Sequence, residues 1–120
     1  MKTALVTHAL HFGGPAAVDV LLQMGFRVIA HDASFAVEDA AQAYRAERGQ
    51  VVTIANTDPQ QLVAAVWENY GPIAVVVSND AFPAIHTTVE NAHPDDLRNT
   101  LEQLVIFPYL LMKYAIPRIK

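Results

Sequence analysis

Thr7-His8-Ala9-Leu10-His11-Phe12-Gly13-Gly14 is the stretch on which the reading of this chain turns. It follows a short apolar strand, Ala4-Leu5-Val6, and precedes an apolar-rich helix that begins near Pro15. In a Rossmann unit the turn between first strand and first helix is rich in glycine. The backbone there must approach a pyrophosphate closely, and the helix N-terminus must face it. Here His8 and Phe12 stand where small residues are expected, while Gly14 keeps a small residue where helix and strand pack. A benzyl group at Phe12 takes space that a dinucleotide needs. The scaffold reads as nucleotide-binding, and the site reads as no longer used for that.

Working outward, strand and helix signals alternate along the whole chain. Strands are expected at about 2–8, 27–32, 51–55 and 73–78. The first helix runs from Pro15 to Met24, with proline in its first turn and Gly25 as its stop. The second runs from about Phe35 to Arg48, with Ser34 as N-cap, acidic Glu38 and Asp39 near its start, and Gly49 at its end. The third has Asp58 as N-cap, Pro59 at the first position and Gln61 closing a capping box; it ends at Tyr70, before Gly71-Pro72. The unbroken run Ala74-Val75-Val76-Val77 suggests burial on both faces, as in a parallel sheet. A long polar loop then leads to a last helix from Pro94 to about Ile116. This βαβαβαβα order implies an α/β, Rossmann-like, doubly wound parallel sheet. Strand order 3-2-1-4 brings the ends of strands one and four together at the switch point, where ligands bind in such folds. Phe12 and the segment Ser78-Asn79-Asp80-Ala81-Phe82 then surround one crevice.

The chain has 120 residues, enough for one domain of modest size, and 52% hydrophobic with 17% charged residues make it globular. Its formal charge is −4 with acidic residues dispersed, so neither a nucleic-acid nor a membrane surface is indicated. There is no cysteine, which excludes disulfides and thiolate chemistry. The N-terminal stretch is too short and polar for a signal peptide or a spanning helix, and a cytoplasmic location is expected.

The last helix carries more apolar surface than four strands can cover. Leu97, Leu101, Leu104, Val105, Pro108, Met112 and Ala115 form one stripe at helical spacing. Ile106, Phe107, Tyr109, Leu110 and Tyr114 form another, so burial on both faces is expected. A Val-rich strand four at the sheet edge also requires a partner. We therefore expect residues 1–120 to be the N-terminal part of a single larger domain, incomplete without further strands, or to work beside a second chain.

The crevice holds the candidate site residues. Phe12 either packs under the sheet edge or walls a small apolar pocket suited to a weakly hydrated anion or a small organic group. Asp80 either caps backbone at the end of strand four or holds a cationic partner. Phe82 and Pro83 line a pocket or shape the loop. Asp32 ends strand two, where NAD enzymes bind the adenine ribose; a loop cap is the competing reading. His8 and His11 are close on a turn but have no third ligand, so no metal site is expected. His31, His86 and His93 read as structural or exposed. Ser78 lacks a nucleophile elbow, and no catalytic triad can be assembled.

Residues 7–14, then His31-Asp32-Ala33-Ser34-Phe35, then Val77-Ser78-Asn79-Asp80 resemble the halohydrin dehalogenases, which look like short-chain dehydrogenase/reductases without a cofactor. The A-type enzymes are the nearest likeness, with an N-terminus similar to Met1-Lys2-Thr3-Ala4-Leu5-Val6-Thr7-His8, and the resemblance extends to Ile106-Phe107-Pro108. It implies a carbon–halide lyase that turns vicinal haloalcohols into epoxides with release of halide, and opens epoxides with small anions. It implies no cofactor and a homotetramer with the last helix in an intersubunit bundle. The family's catalytic Ser, Tyr and Arg lie beyond this sequence, so no catalytic residue is assigned here and the C-terminal half of the same enzyme becomes a required partner. By the same resemblance Phe12, Asn79, Asp80, Phe82 and Pro83 belong to the halide and substrate pocket, with Asp80 supporting the catalytic Arg through a polar network. An NAD(P)-dependent short-chain reductase fragment and a non-catalytic assembly subunit remain as alternatives.

Overall fold

The computed structural model describes residues 1–80 and 82–119; Ala81 of the crevice segment and Lys120 lie outside the described residues. Four strands, β1 (Thr3–Val6), β2 (Arg27–His31), β3 (Val51–Ile54) and β4 (Ile73–Val77), form one sheet in the order β3-β2-β1-β4. Every pairing is parallel, so the fold is the Rossmann-like α/β sheet that the alternation implied. Side chains alternate across it with period two. Ala4, Val6, Val28 and Ala30 pack on one face with Val18 and Leu21 of α1 (Gly14–Gln23) and with Ala41 and Tyr44 of α2 (Glu38–Arg48). Leu5 and Ile29 pack on the other with Leu62, Val63 and Val66 of α3 (Pro59–Tyr70). Fully burying a Leu or Ile is worth roughly 1.5–3 kcal/mol relative to exposing it, so this two-faced core is the main source of stability for the sheet that carries the switch point.

The edge strand departs from the expected double burial. Ile73 is buried, but Ala74 to Val77 are only half-buried. Among the described residues β4 pairs with β1 on one side, and its outer edge receives one parallel bridge, from Ile119 to Ile73.

Two helix starts follow the sequence unequally. The Asp58 carboxylate accepts from Gln61 N at 2.9 Å with Pro59 leading α3, as expected. Ser34 is not the cap of the second helix. Asp32 instead caps a short 3-10 turn over Ala33–Ala36, accepting from Ser34 N at 3.0 Å, and α2 begins only after Val37. The Asp32 carboxylate takes both Ser34 N–H and the Ser34 hydroxyl, so that hydroxyl donates to Asp32 instead of accepting at the helix start.

The last helix is broken in phase. It comprises α4 (Pro94–Leu101), a π turn over Glu102–Ile106, α5 (Phe107–Ala115) and a 3-10 turn over Ile116–Arg118. Pro108 has no N–H, and its ring would meet the carbonyl of Leu104 in a regular helix. The π turn absorbs this, with Phe107 N–H donating to Glu102 O. The extra residue shifts the face that meets the core. Phe107, Leu111 and Ala115 are buried, the first two outside the first stripe and Leu111 in neither. Leu97, Leu101, Leu104, Val105 and Met112 are exposed, so one face of the helix is covered and the other is not.

Candidate functional site

The site is a cleft at the carboxyl ends of β1 and β4, and its floor is tied by side chains that the strands deliver. Thr7 N–H donates to Val77 O at 3.1 Å, which brings the two strand ends together. Asn79 N–H donates to Thr7 Oγ1 at 3.1 Å. The Asn79 side-chain amide donates to the carbonyls of His8 (2.8 Å) and His11 (2.6 Å) and so clamps the turn that follows β1. Gly14 lies against that turn so closely that a Cβ there would sit 2.6 Å from the Ala9 carbonyl carbon.

His8 and Phe12 have φ of 48° and 47°. These are left-handed values that glycine adopts freely and that cost other residues roughly 1–2 kcal/mol each. The glycine backbone of a dinucleotide turn is therefore retained at two positions that carry side chains. Phe12 is 81% exposed and faces the cleft. His8 turns inward, where its ring meets His31 edge-on (centroids 5.2 Å apart) and Phe107 of α5 (4.9 Å).

His31 is 1% exposed and fully engaged. Its Nδ1 accepts from His8 N–H at 3.2 Å and its Nε2 faces Asn56 O at 2.8 Å. These partners fix the neutral ring with the proton on Nε2. Burial, with the His8 charge second, pushes its pKa down to about 4. Burial also lowers the pKa of His8, against the opposing pull of Asp32 and Asp80. Asp32 is 6% exposed. One of its oxygens accepts from Ser34 N and Ser34 Oγ (2.6 Å), and the other lies 3.6 Å from His11 Nε2.

The cleft itself holds about 540 Å³ and is lined by His11, Phe12, Phe82, Pro83 and Ala84. Three of the residues singled out from sequence, Phe12, Phe82 and Pro83, meet there. Asn79 and Asp80 are not part of the lining. Asn79 spends its amide on the turn, and exposed Asp80 accepts from Ser78 Oγ at 3.0 Å. His11, His31 and Phe107 were not picked out as site residues. A histidine closing a buried strand needs two hydrogen-bond partners, and that need was the available signal for His31. Among the described residues no group of three or more His, Cys, Asp or Glu could hold a metal ion, and no helix is long and apolar enough to cross a membrane.

These residues do not fit a dinucleotide. Side chains stand at both left-handed positions of the turn, and the Asp32 carboxylate that would meet a ribose is engaged by Ser34 and His11.

The sheet order and the switch-point cleft are those of the short-chain dehydrogenase/reductase fold. One solved structure that the chain resembles is a halohydrin dehalogenase (HheC) bound to ethyl (2S)-oxiran-2-ylacetate: 30% identity, TM-score 0.91, 97% of this chain and 46% of that one. Another is a dehalogenation enzyme at 27% identity and TM-score 0.88, covering 98% of this chain and 48% of that one. A short-chain dehydrogenase from Streptomyces avermitilis, at 24% identity, TM-score 0.79, and 98% and 44% coverage, shares the fold. The chain thus spans about half the length of these structures. No family model and no curated protein matches the sequence.

Proposed function

We propose that this chain is the N-terminal part of a cofactor-independent halohydrin dehalogenase, a lyase that closes vicinal haloalcohols to epoxides with loss of halide and opens epoxides with small anions. The observation that carries the reading is the turn. His8 and Phe12 hold glycine backbone geometry, yet Phe12 sets an aromatic wall on the cleft while the His8 ring packs inward on His31 and Phe107. In this reading Phe12, Phe82 and Pro83 form the apolar side of the halide and substrate pocket, Asn79 holds that wall in place, and Asp80 supplies negative charge to support a catalytic arginine. The Ser, Tyr and Arg that do the chemistry come from the C-terminal half of the enzyme. The exposed face of α4 and α5 packs between subunits of a homotetramer.

The second reading, an NAD(P)-dependent short-chain reductase, draws on one observation: Asp32 directly follows β2, at the ribose-binding position. One experiment separates the two. The polypeptide that naturally carries this sequence is given a vicinal bromoalcohol without cofactor, and NADH and NADPH are titrated by fluorescence. The proposal expects bromide release and no saturable micromolar binding. Saturable binding without bromide release overturns it in favour of the reductase.

A further inference from the structure

We propose that His11 is a specificity-determining residue that selects substrates by the polarity of their tails, an inference that rests on the dehalogenase reading. Among the described lining residues of the cleft it alone has a polar side chain; its neighbours are Phe12, Phe82, Pro83 and Ala84. Its position is fixed from several sides. The backbone N–H donates to His8 O at 3.1 Å, and the carbonyl accepts from Gly14 N at 2.8 Å and from the Asn79 amide at 2.6 Å. The Asp32 carboxylate, whose other oxygen is anchored on Ser34, lies 3.6 Å from Nε2, longer than a hydrogen bond but close enough to favour the proton on that nitrogen. Nδ1 is left as an acceptor for a ligand.

A ring held this way discriminates. An alkyl tail lying against it strips water from the imidazole and returns no hydrogen bond. A hydroxyl on the tail, donating to Nδ1, replaces the lost water, whereas a nitrile or ester only accepts and does not. Sites built around a hydrogen-bonding group reject the analogue that lacks the partner more strongly than apolar sites reject an extra methylene.

The test uses the natural polypeptide with two vicinal chloroalcohols of equal length, one ending in a second hydroxyl and one in a methyl group. His11→Phe keeps ring and shape, and His11→Gln keeps a hydrogen-bonding group. Loss of one such bond is expected to raise KM for the hydroxyl-ended substrate about tenfold in His11→Phe, with kcat and the methyl-ended substrate little changed. His11→Gln restores most of the preference. Equal losses on both substrates, or a preference for the hydroxyl-ended substrate that survives in His11→Phe, overturn the proposal. If His11→Phe does not fold, the imidazole C–H resonances of the parent are followed during titration with the hydroxyl-ended substrate; a shift supports the contact and its absence overturns it. Failure of the parent to release chloride from either substrate sinks the dehalogenase reading instead, and the same titration still decides the role of His11.

Discussion

The two walls of the cleft are built in opposite ways. The wall after β1 is a turn of left-handed residues, tied to β4 by Asn79, to β2 by His31 and to α2's approach by the His11–Asp32 pair. The facing wall, Phe82 to Ala84, opens a long segment running to His93 in which most side chains are exposed. One wall is preorganised by buried polar partners, whereas the other belongs to a segment whose described residues are mostly exposed. Shape complementarity to a ligand therefore originates on the β1 side, and adaptability on the β4 side.

The strongest way to break this contrast is Gly14→Ala. Its Cβ has no room beside the Ala9 carbonyl, so we expect a loss of roughly 3 kcal/mol or more by urea unfolding. Gly13→Ala is its control: φ is −80° and the nearest atom is 3.8 Å away, so stability should hardly move. An equal loss in both variants would mean the turn is not tightly packed.

Acid probes the tied wall next. His31 binds a proton near pH 6.5 when unfolded but only near pH 4 when folded. The unfolded state takes up more protons between those values, so stability is present above pH 6.5 and falls as pH drops toward 4. From pH 7 to pH 5 the penalty is about 2 kcal/mol, and it should vanish in His31→Gln. The same acid slope in that variant would assign the effect to other groups, with His8 the first to examine.

The smallest effect sharpens the comparison. Phe12→Gly should gain about 1 kcal/mol or less of stability, because backbone strain is relieved and an exposed ring makes few contacts to lose. If the dehalogenase reading holds, the same change weakens bromide inhibition of the natural polypeptide. Phe82→Ala should shift stability by no more than about 0.5 kcal/mol, because its wall is untied. Destabilisation of Phe12→Gly would show that the ring is ordinary packing.

Much of the fold was legible because its signals are local or periodic. The Asp58-Pro59 start, the Gly71-Pro72 stop and the run of apolar strands all act through neighbours in sequence. Asp32 defeated local reasoning at Ser34, since its carboxylate draws in the hydroxyl that Ser34 would have needed as a cap. The last helix defeated periodicity, because Pro108 changes the period that the stripe count assumed. In the cleft, Phe12 was readable from the turn itself, where large side chains interrupt a glycine pattern, and Phe82 and Pro83 from their place after strand four. The ties were not. His31 to Asn56, Asn79 to His11 and His8 to Phe107 join residues that only the parallel sheet brings together.

The π turn acts as a phase shifter. Each residue of an α-helix rotates the chain by about 100°, so one residue more than a regular turn holds sets the face of α5 independently of the face of α4. Residues before the turn can be exchanged on the outer surface without disturbing how Phe107 meets His8 and His31. Removing one residue between Glu102 and Ile106 would carry Phe107 away from that contact while keeping α5 helical. The number of residues in this turn, more than their identity, tunes the helix to the cleft.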